Sequence, residues 1–115
     1  MDRPDTRELE CFVAVAEELN FARAARRIHL SQPPLSRHIQ KLEAKLGAPL
    51  FLRNTRRVEL TSQGAAFLDD ARFLLRHLDR AVDTVRRAED KNFRVLNIGF
   101  VGAILDTNLV EVLRS

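Results

Sequence analysis

The sequence of 115 residues is 45% hydrophobic and 30% charged, the balance of a globular chain and not of a disordered or collagen-like one. Four Gly, four Pro and no Trp or Tyr favour helices over a turn-rich β fold, and the apolar runs are too short for a membrane span. Nineteen Lys and Arg against sixteen Asp and Glu leave +3 overall, spread as −4 over residues 1–19, +7 over residues 20–60 and zero over residues 61–115.

The start, Met1-Asp2-Arg3-Pro4-Asp5, is polar and acidic and does not read as a signal peptide. Asp5 with Glu8 three residues on resembles a capping box, and Leu9, Phe12, Val13 and Ala16 follow at helical period. Asn20 is a good cap for a second helix, Phe21 to Ile28, in which Phe21, Ala24, Ala25 and Ile28 share one face while Arg23, Arg26 and Arg27 point outwards. His29-Leu30 connects to a third helix capped by Ser31, with Pro33 and Pro34 in its first turn, where proline costs little. Leu35, Ile39, Leu42 and Leu46 form its apolar stripe, and Gly47 supplies the stop. The opposite face carries Gln32, Pro33, Ser36, Arg37, Gln40 and Lys41 and holds no acid; Glu43 lies outside that group.

Leu50 to Arg53 and Arg56 to Leu60 read as two short strands about Asn54-Thr55, a hairpin with arginines at its tip. Thr61 caps a helix that runs without proline to about Ala88. Along it Leu68, Ala71, Leu75, Leu78, Val82 and Val85 alternate steps of three and four, and Phe67, Leu74, Ala81 and Ala88 recur every seven. So broad an apolar face wants a partner helix, which makes the first six the expected dimer contacts. A polar hinge, Glu89 to Asn92, precedes a strand over Arg94 to Phe100 and a helix led in by Gly99, Gly102 and Asp106. A lone strand with part of a helix cannot bury its own faces, so the expectation is a second domain cut early.

Function concentrates in residues 20–60. A short helix, a tight turn and a longer helix with a polar, acid-free outer face form a helix-turn-helix pattern, and a hairpin with Arg53, Arg56 and Arg57 follows as a wing. Gln32 and Arg37 have the reach and the donor–acceptor sets to read base edges in the major groove. Ser31 and Ser36 are short enough to reach phosphates or bases, and the helix start adds partial positive charge. Arg56 and Arg57 suit a flanking minor groove, where negative potential is focused.

The stretch from Cys11 to Glu43, with Leu46-Gly47, Leu50-Phe51-Leu52-Arg53 and Leu60-Thr61-Ser62-Gln63-Gly64, resembles the DNA-binding domain of the LysR-type transcriptional regulators. The resemblance runs over about residues 6–90. It implies a mainly α chain: a winged helix-turn-helix over residues 1–61, a long dimerising linker helix over 61–90, and over 91–115 a hinge and the truncated start of an effector-binding domain. Carried over by position, Gln32, Pro33, Ser36 and Arg37 are groove readers, Ser31 and Arg23 phosphate contacts, and Arg56 the wing arginine; Arg53, Arg57, Gln40 and Lys41 complete the expected DNA face. Gly102 and Ala103 sit at the edge of the effector pocket, and Ala103 stands where many relatives carry a hydroxyl for an effector carboxylate. The implied partners are double-stranded operator DNA with dyad symmetry, a second copy of the chain (a tetramer at full length) and a small-molecule effector; no cofactor is expected.

Other groups read more simply. Arg26 and Arg27 suit solvent or helix-dipole roles, and Arg72, Arg76, Arg80, Arg86 and Arg87 sit among Asp69, Asp70, Asp79 and Asp83 as a salt-bridged surface. His29, His38 and His77 lack metal-ligand spacing, and the single Cys11 beside Phe12 reads as a core or semi-buried thiol in a reducing, cytoplasmic setting. With no Gly-rich phosphate loop and no nucleophile–base pair, enzymatic activity is not expected. Two rivals remain open at this point: a winged-helix regulator of another family with a different sensor, and a coiled dimerisation module without specific DNA binding.

Overall fold

In a computed structural model of the protein, the structure describes residues 2–54 and 57–90. Four helices and one hairpin follow in order: α1 (Thr6–Glu18), α2 (Phe21–Arg27), α3 (Gln32–Leu46), β1 (Phe51–Arg53), β2 (Val58–Leu60) and α4 (Ser62–Asp90). The chain divides into two units, Met1–His77 and Leu78–Ser115. The first holds α1, α2, α3, the hairpin and the start of α4.

The helix boundaries follow the local chemistry. The Asp5 side chain accepts from the Glu8 N–H at 2.8 Å, and the Glu8 carboxylate accepts from the Asp5 N–H at 2.9 Å, closing the capping box on α1. Asn20 caps α2 by accepting from the Arg23 N–H at 2.8 Å, and Gly47 ends α3 at φ +73°, a left-handed turn that suits glycine. Thr61 caps α4: its Oγ1 accepts from the Gly64 N–H and donates to the Pro49 carbonyl. Leu19 ends α1 in the left-handed region at φ +50°, a conformation that costs a leucine about 1–2 kcal/mol.

The core sits on α1. Six consecutive residues, Cys11 to Ala16, are buried, more than the Phe12, Val13 and Ala16 stripe alone predicts. Other elements pack on more than one face of the helix. Phe12 is the hub, with ring centroids 5.5 Å from Phe51 of β1 and 5.3 Å from Phe67 of α4. Ala24 and Ala25 let α2 approach closely, and Leu35, Ile39 and Leu42 seat α3 with no exposed surface. Glu8, only 1% exposed, is paired with Lys45 at 2.9 and 3.0 Å, so one carboxylate both caps α1 and anchors the end of α3.

The hairpin is antiparallel, with Phe51 opposite Leu60, Leu52 opposite Glu59 and Arg53 opposite Val58. Each strand has three residues, shorter than the sequence suggests, because Asn54 and Arg57 close the turn: Asn54 N–H donates to the Arg57 carbonyl and its side chain accepts from the Arg57 N–H. Residues Arg56, Gly102 and Ala103, and the strand and helix expected over 91–115, lie outside the described residues. Among the described residues no helix is long and apolar enough to cross a membrane.

A candidate nucleic-acid interface

The turn between α2 and α3 aims the candidate reading face. Leu30 N–H returns to the Ala25 carbonyl at 2.9 Å and His29 takes φ +59°, so the chain reverses within Ile28–Ser31. Histidine is among the residues that tolerate this left-handed conformation. With Leu35, Ile39 and Leu42 turned inward, the opposite side of α3 presents Gln32, Pro33, Arg37, Gln40 and Lys41 to solvent, with Ser36 half-buried at its margin. The expected outward set is thus grouped on one exposed helix face.

Ser31 occupies the cap position of α3 with extended backbone, but its side chain makes no capping hydrogen bond. The reason is chemical. A capping oxygen accepts from the second or third helical N–H, and here those residues are Pro33 and Pro34, which have none. The same prolines remove two of the four amides that a helix start leaves free, so the positive helix end expected here offers fewer N–H donors than an ordinary one. What remains is an exposed hydroxyl with no partner among the described residues.

The cations sort into two kinds. Arg37 and Lys41, with Gln32 and Gln40, make no side-chain hydrogen bond or ion pair among the described residues. The others are engaged. Arg23 bonds the Glu18 carbonyl at 3.1 Å and lies 3.4 Å from its carboxylate, closing the end of α1. Arg27 pairs with Glu17 at 2.6 Å and Glu18 at 3.3 Å; Arg57 lies 3.3 Å from Glu59 and stays largely exposed. Arg53, expected on the DNA face, turns back: it lies 3.3 Å from Glu43 and 5.3 Å from the centre of the Phe21 ring. Exposed ion pairs of this kind are weak, about 0–1 kcal/mol, so Arg23 and Arg57 can exchange a carboxylate for a phosphate at little cost.

Between the starts of α2 and α3 and the hairpin lies a concavity of about 310 Å³, with Asn20, Phe21, Gln32, Asn54, Arg57 and Val58 on its walls. It joins the helix face to the wing in one continuous surface. Sequence reasoning missed Glu43, whose carboxylate ties the wing to α3 by accepting from the Leu50 and Phe51 N–H groups. In the sequence Glu43 is only an acid outside the Gln32 to Lys41 group, and no spacing links it to the hairpin.

The expected dimer contacts need correction. Ala71 is fully buried, and Leu68 and Leu75 pack partly on the core of their own chain, so this half of the stripe faces inward. Ala71 is thus spent on its own core, while Leu68 and Leu75 keep part of their surface exposed. Leu78, Val82 and Val85 are exposed as expected, and Leu74 joins them at 49% exposure. Arg72 is ion-paired, to Glu17 at 2.9 Å and Asp69 at 3.7 Å. Among the described residues no group of three or more His, Cys, Asp or Glu could hold a metal ion.

The family model described as "Bacterial regulatory helix-turn-helix protein, lysR family" matches residues 6–65. The chain is 48% identical over 109 residues to the HTH-type transcriptional regulator TfdS of Cupriavidus pinatubonensis, covering 95% of this chain and 37% of that protein. It is 44% identical over 111 residues to a probable cat1 operon transcriptional activator of Acinetobacter lwoffii, covering 96% and 37%. The chain therefore spans little more than a third of the length of these relatives. Among solved structures, the DNA complex of the CbnR DNA-binding domain matches with a TM-score of 0.71 at 49% identity, covering 74% of this chain and 98% of that one. Full-length CbnR, a LysR family transcriptional regulator, gives 0.70 at 50% identity over 73% of this chain and 29% of that one.

Proposed function

This chain belongs to the lysR family of bacterial regulatory helix-turn-helix proteins, and from that membership we propose that it binds duplex DNA sequence-specifically and regulates transcription as a homodimer. The observation that carries the reading is the outer face of α3: Gln32, Arg37, Gln40 and Lys41 stand exposed, without partners among the described residues and without an acid among them. Donors in that state reach a base edge or phosphate without first breaking a bond inside the protein.

In this reading Gln32, Pro33, Ser36 and Arg37 line the major groove, with Arg37 able to grip a guanine edge with two donors. Ser31, Arg23, Gln40 and Lys41 take backbone phosphates, and Arg57 reaches the flanking minor groove, with Arg56 assigned there by family resemblance alone. Arg53 holds the wing in place. Residues 1–61 form the DNA-binding part, 61–90 the dimerising linker through Leu74, Leu78, Val82 and Val85, and 91–115 the opening of an effector-binding domain with Gly102 and Ala103 at its pocket. The two recognition helices of a dimer meet successive major grooves, about one helical turn of DNA or a multiple apart.

A band-shift titration tests the reading. Each neutralised phosphate releases counterions, so six or more contacts should lower affinity roughly a thousandfold or more between 50 and 200 mM salt. A salt-independent affinity, or none for any duplex after selection from random sequence, would refute it.

A further inference from the structure

We propose that Glu43 is a positioning residue that fixes the wing against α3 and, through it, the place of the wing on DNA; the second half rests on the DNA-binding reading above. Its carboxylate lies one turn of helix beyond Gln40, in line with Ser36 at the margin of the outer face, and is 18% exposed. One oxygen, Oε2, accepts from the N–H of Leu50 at 2.8 Å and of Phe51 at 3.3 Å, where the chain enters β1. The other, Oε1, accepts from Nη2 of Arg53 at 3.3 Å, at the far end of the same strand. The Arg53 guanidinium also lies over Phe21, so the strand is held to both helices of the helix-turn-helix.

A hairpin of two three-residue strands cannot hold its own angle. The Thr61 bonds to Pro49 and Leu50 fasten its base to the start of α4, not to α3. The ring contacts of Phe51 with Phe12 and Phe21 bury its root but are not directional. Charge-assisted bonds to a carboxylate are directional and strong, and Leu50 is buried, so its N–H has no water to turn to. Glutamine is a poor substitute. It has one acceptor oxygen: aimed at the amides, it sets an NH₂ against Arg53, and reversed, it sets that NH₂ against two N–H donors.

The test begins without DNA. Spin labels at Ala44→Cys on α3 and Glu59→Cys on β2, both exposed sites, report the distance between helix and wing, while the buried Cys11 stays unlabelled. Glu43→Gln and Glu43→Ala should broaden that distance distribution. They should also speed hydrogen exchange at Leu50 and Phe51 by about tenfold or more, with the α1 amides unchanged. If Glu43→Ala does not fold, Glu43→Gln and Arg53→Ala decide. A distribution and exchange rates equal to those of the native protein would overturn the proposal. On duplexes differing only in A/T or G/C flanks, the variants should lose the native flank preference and keep the preference at the central bases. A loosened wing with full flank preference would overturn the link to DNA. If the native protein itself ignores the flanks, the wing-in-groove reading fails, and the spin labels still decide the role of Glu43.

Discussion

Arg72 of α4 donates its Nε–H to Glu17 near the end of α1 at 2.9 Å, and the other oxygen of that carboxylate takes Arg27 of α2 at 2.6 Å. One side chain thus joins three helices, and the Arg27 hydrogen bond, reinforced by Arg72, holds the Glu17 carboxyl below its ordinary 4.5. A carboxyl lowered on folding contributes stability that is present above 4.5 and is lost as the pH falls through the lowered value. Glu17→Gln should therefore flatten the acid limb of a urea-stability curve below pH 4.5, by under about 1 kcal/mol because the group is partly solvated. Native and variant curves that stay parallel through that range would deny Glu17 this role.

Cys11 answers a different question. Burial pushes its thiol up to about 11, against a smaller opposing pull from Arg7. At neutral pH it is a protonated, fully buried thiol, unsuited to redox sensing. Iodoacetamide should leave the folded protein unmodified at pH 8 over hours and label it promptly in denaturant. Fast labelling of the folded protein would place the thiol nearer the surface.

Much of the fold is written in local chemistry. Leu35, Ile39 and Leu42 at helical spacing, the Asp5–Glu8 box and Gly47 each state an element or its end, because period and cap geometry are short-range properties. The contents of the α3 outer face follow from the same arithmetic. Three things do not. Glu8 with Lys45, and Glu43 with β1, join residues whose meeting depends on the packed fold, so no spacing reveals them. Arg53 reads as a wing-tip cation until Phe21 and Glu43 are in place behind it. The stripe on α4 is legible as apolar, but periodicity does not say which chain covers it, and the structure gives Ala71 to its own core.

Gly64 is a place where the wing and α4 meet with no room to spare. A Cβ there would strike the Leu50 carbonyl oxygen, and Leu60 Cδ2 at 2.9 Å. The oxygen is backbone in a strand root and cannot swing aside. Gly64→Ala should cost about 1–3 kcal/mol, in spite of alanine's better helix propensity, and lower the melting temperature. An unchanged or raised melting temperature would mean that the hairpin root shifts freely.

On DNA the outer face of α3 should separate readers from anchors. Arg37→Ala is expected to cost roughly 1–3 kcal/mol and to relax preference at one base position per half-site. Lys41→Ala should weaken all duplexes alike and reduce the salt slope by about one. Titrations against a panel of single-base operator variants distinguish the two patterns. Uniform loss for Arg37→Ala would make it a phosphate contact.

The two halves of the α4 stripe should respond oppositely to charge. Ala71 has no exposed surface, so Ala71→Asp buries a carboxylate without a partner, and the folded state should be lost outright. Leu78 is 46% exposed and Val85 67%, so Asp at either position leaves the core of the first unit untouched. If these residues form the seam between copies, each subunit loses an apolar contact and gains a repelling charge. Every fully buried leucine is worth about 1.5–3 kcal/mol and each 1.4 kcal/mol is tenfold, so dimer dissociation should rise by a hundredfold or more. Sedimentation should then show folded monomers for Leu78→Asp and Val85→Asp, with the circular dichroism of the native protein. A dimer that survives both substitutions would move the interface off this face of α4.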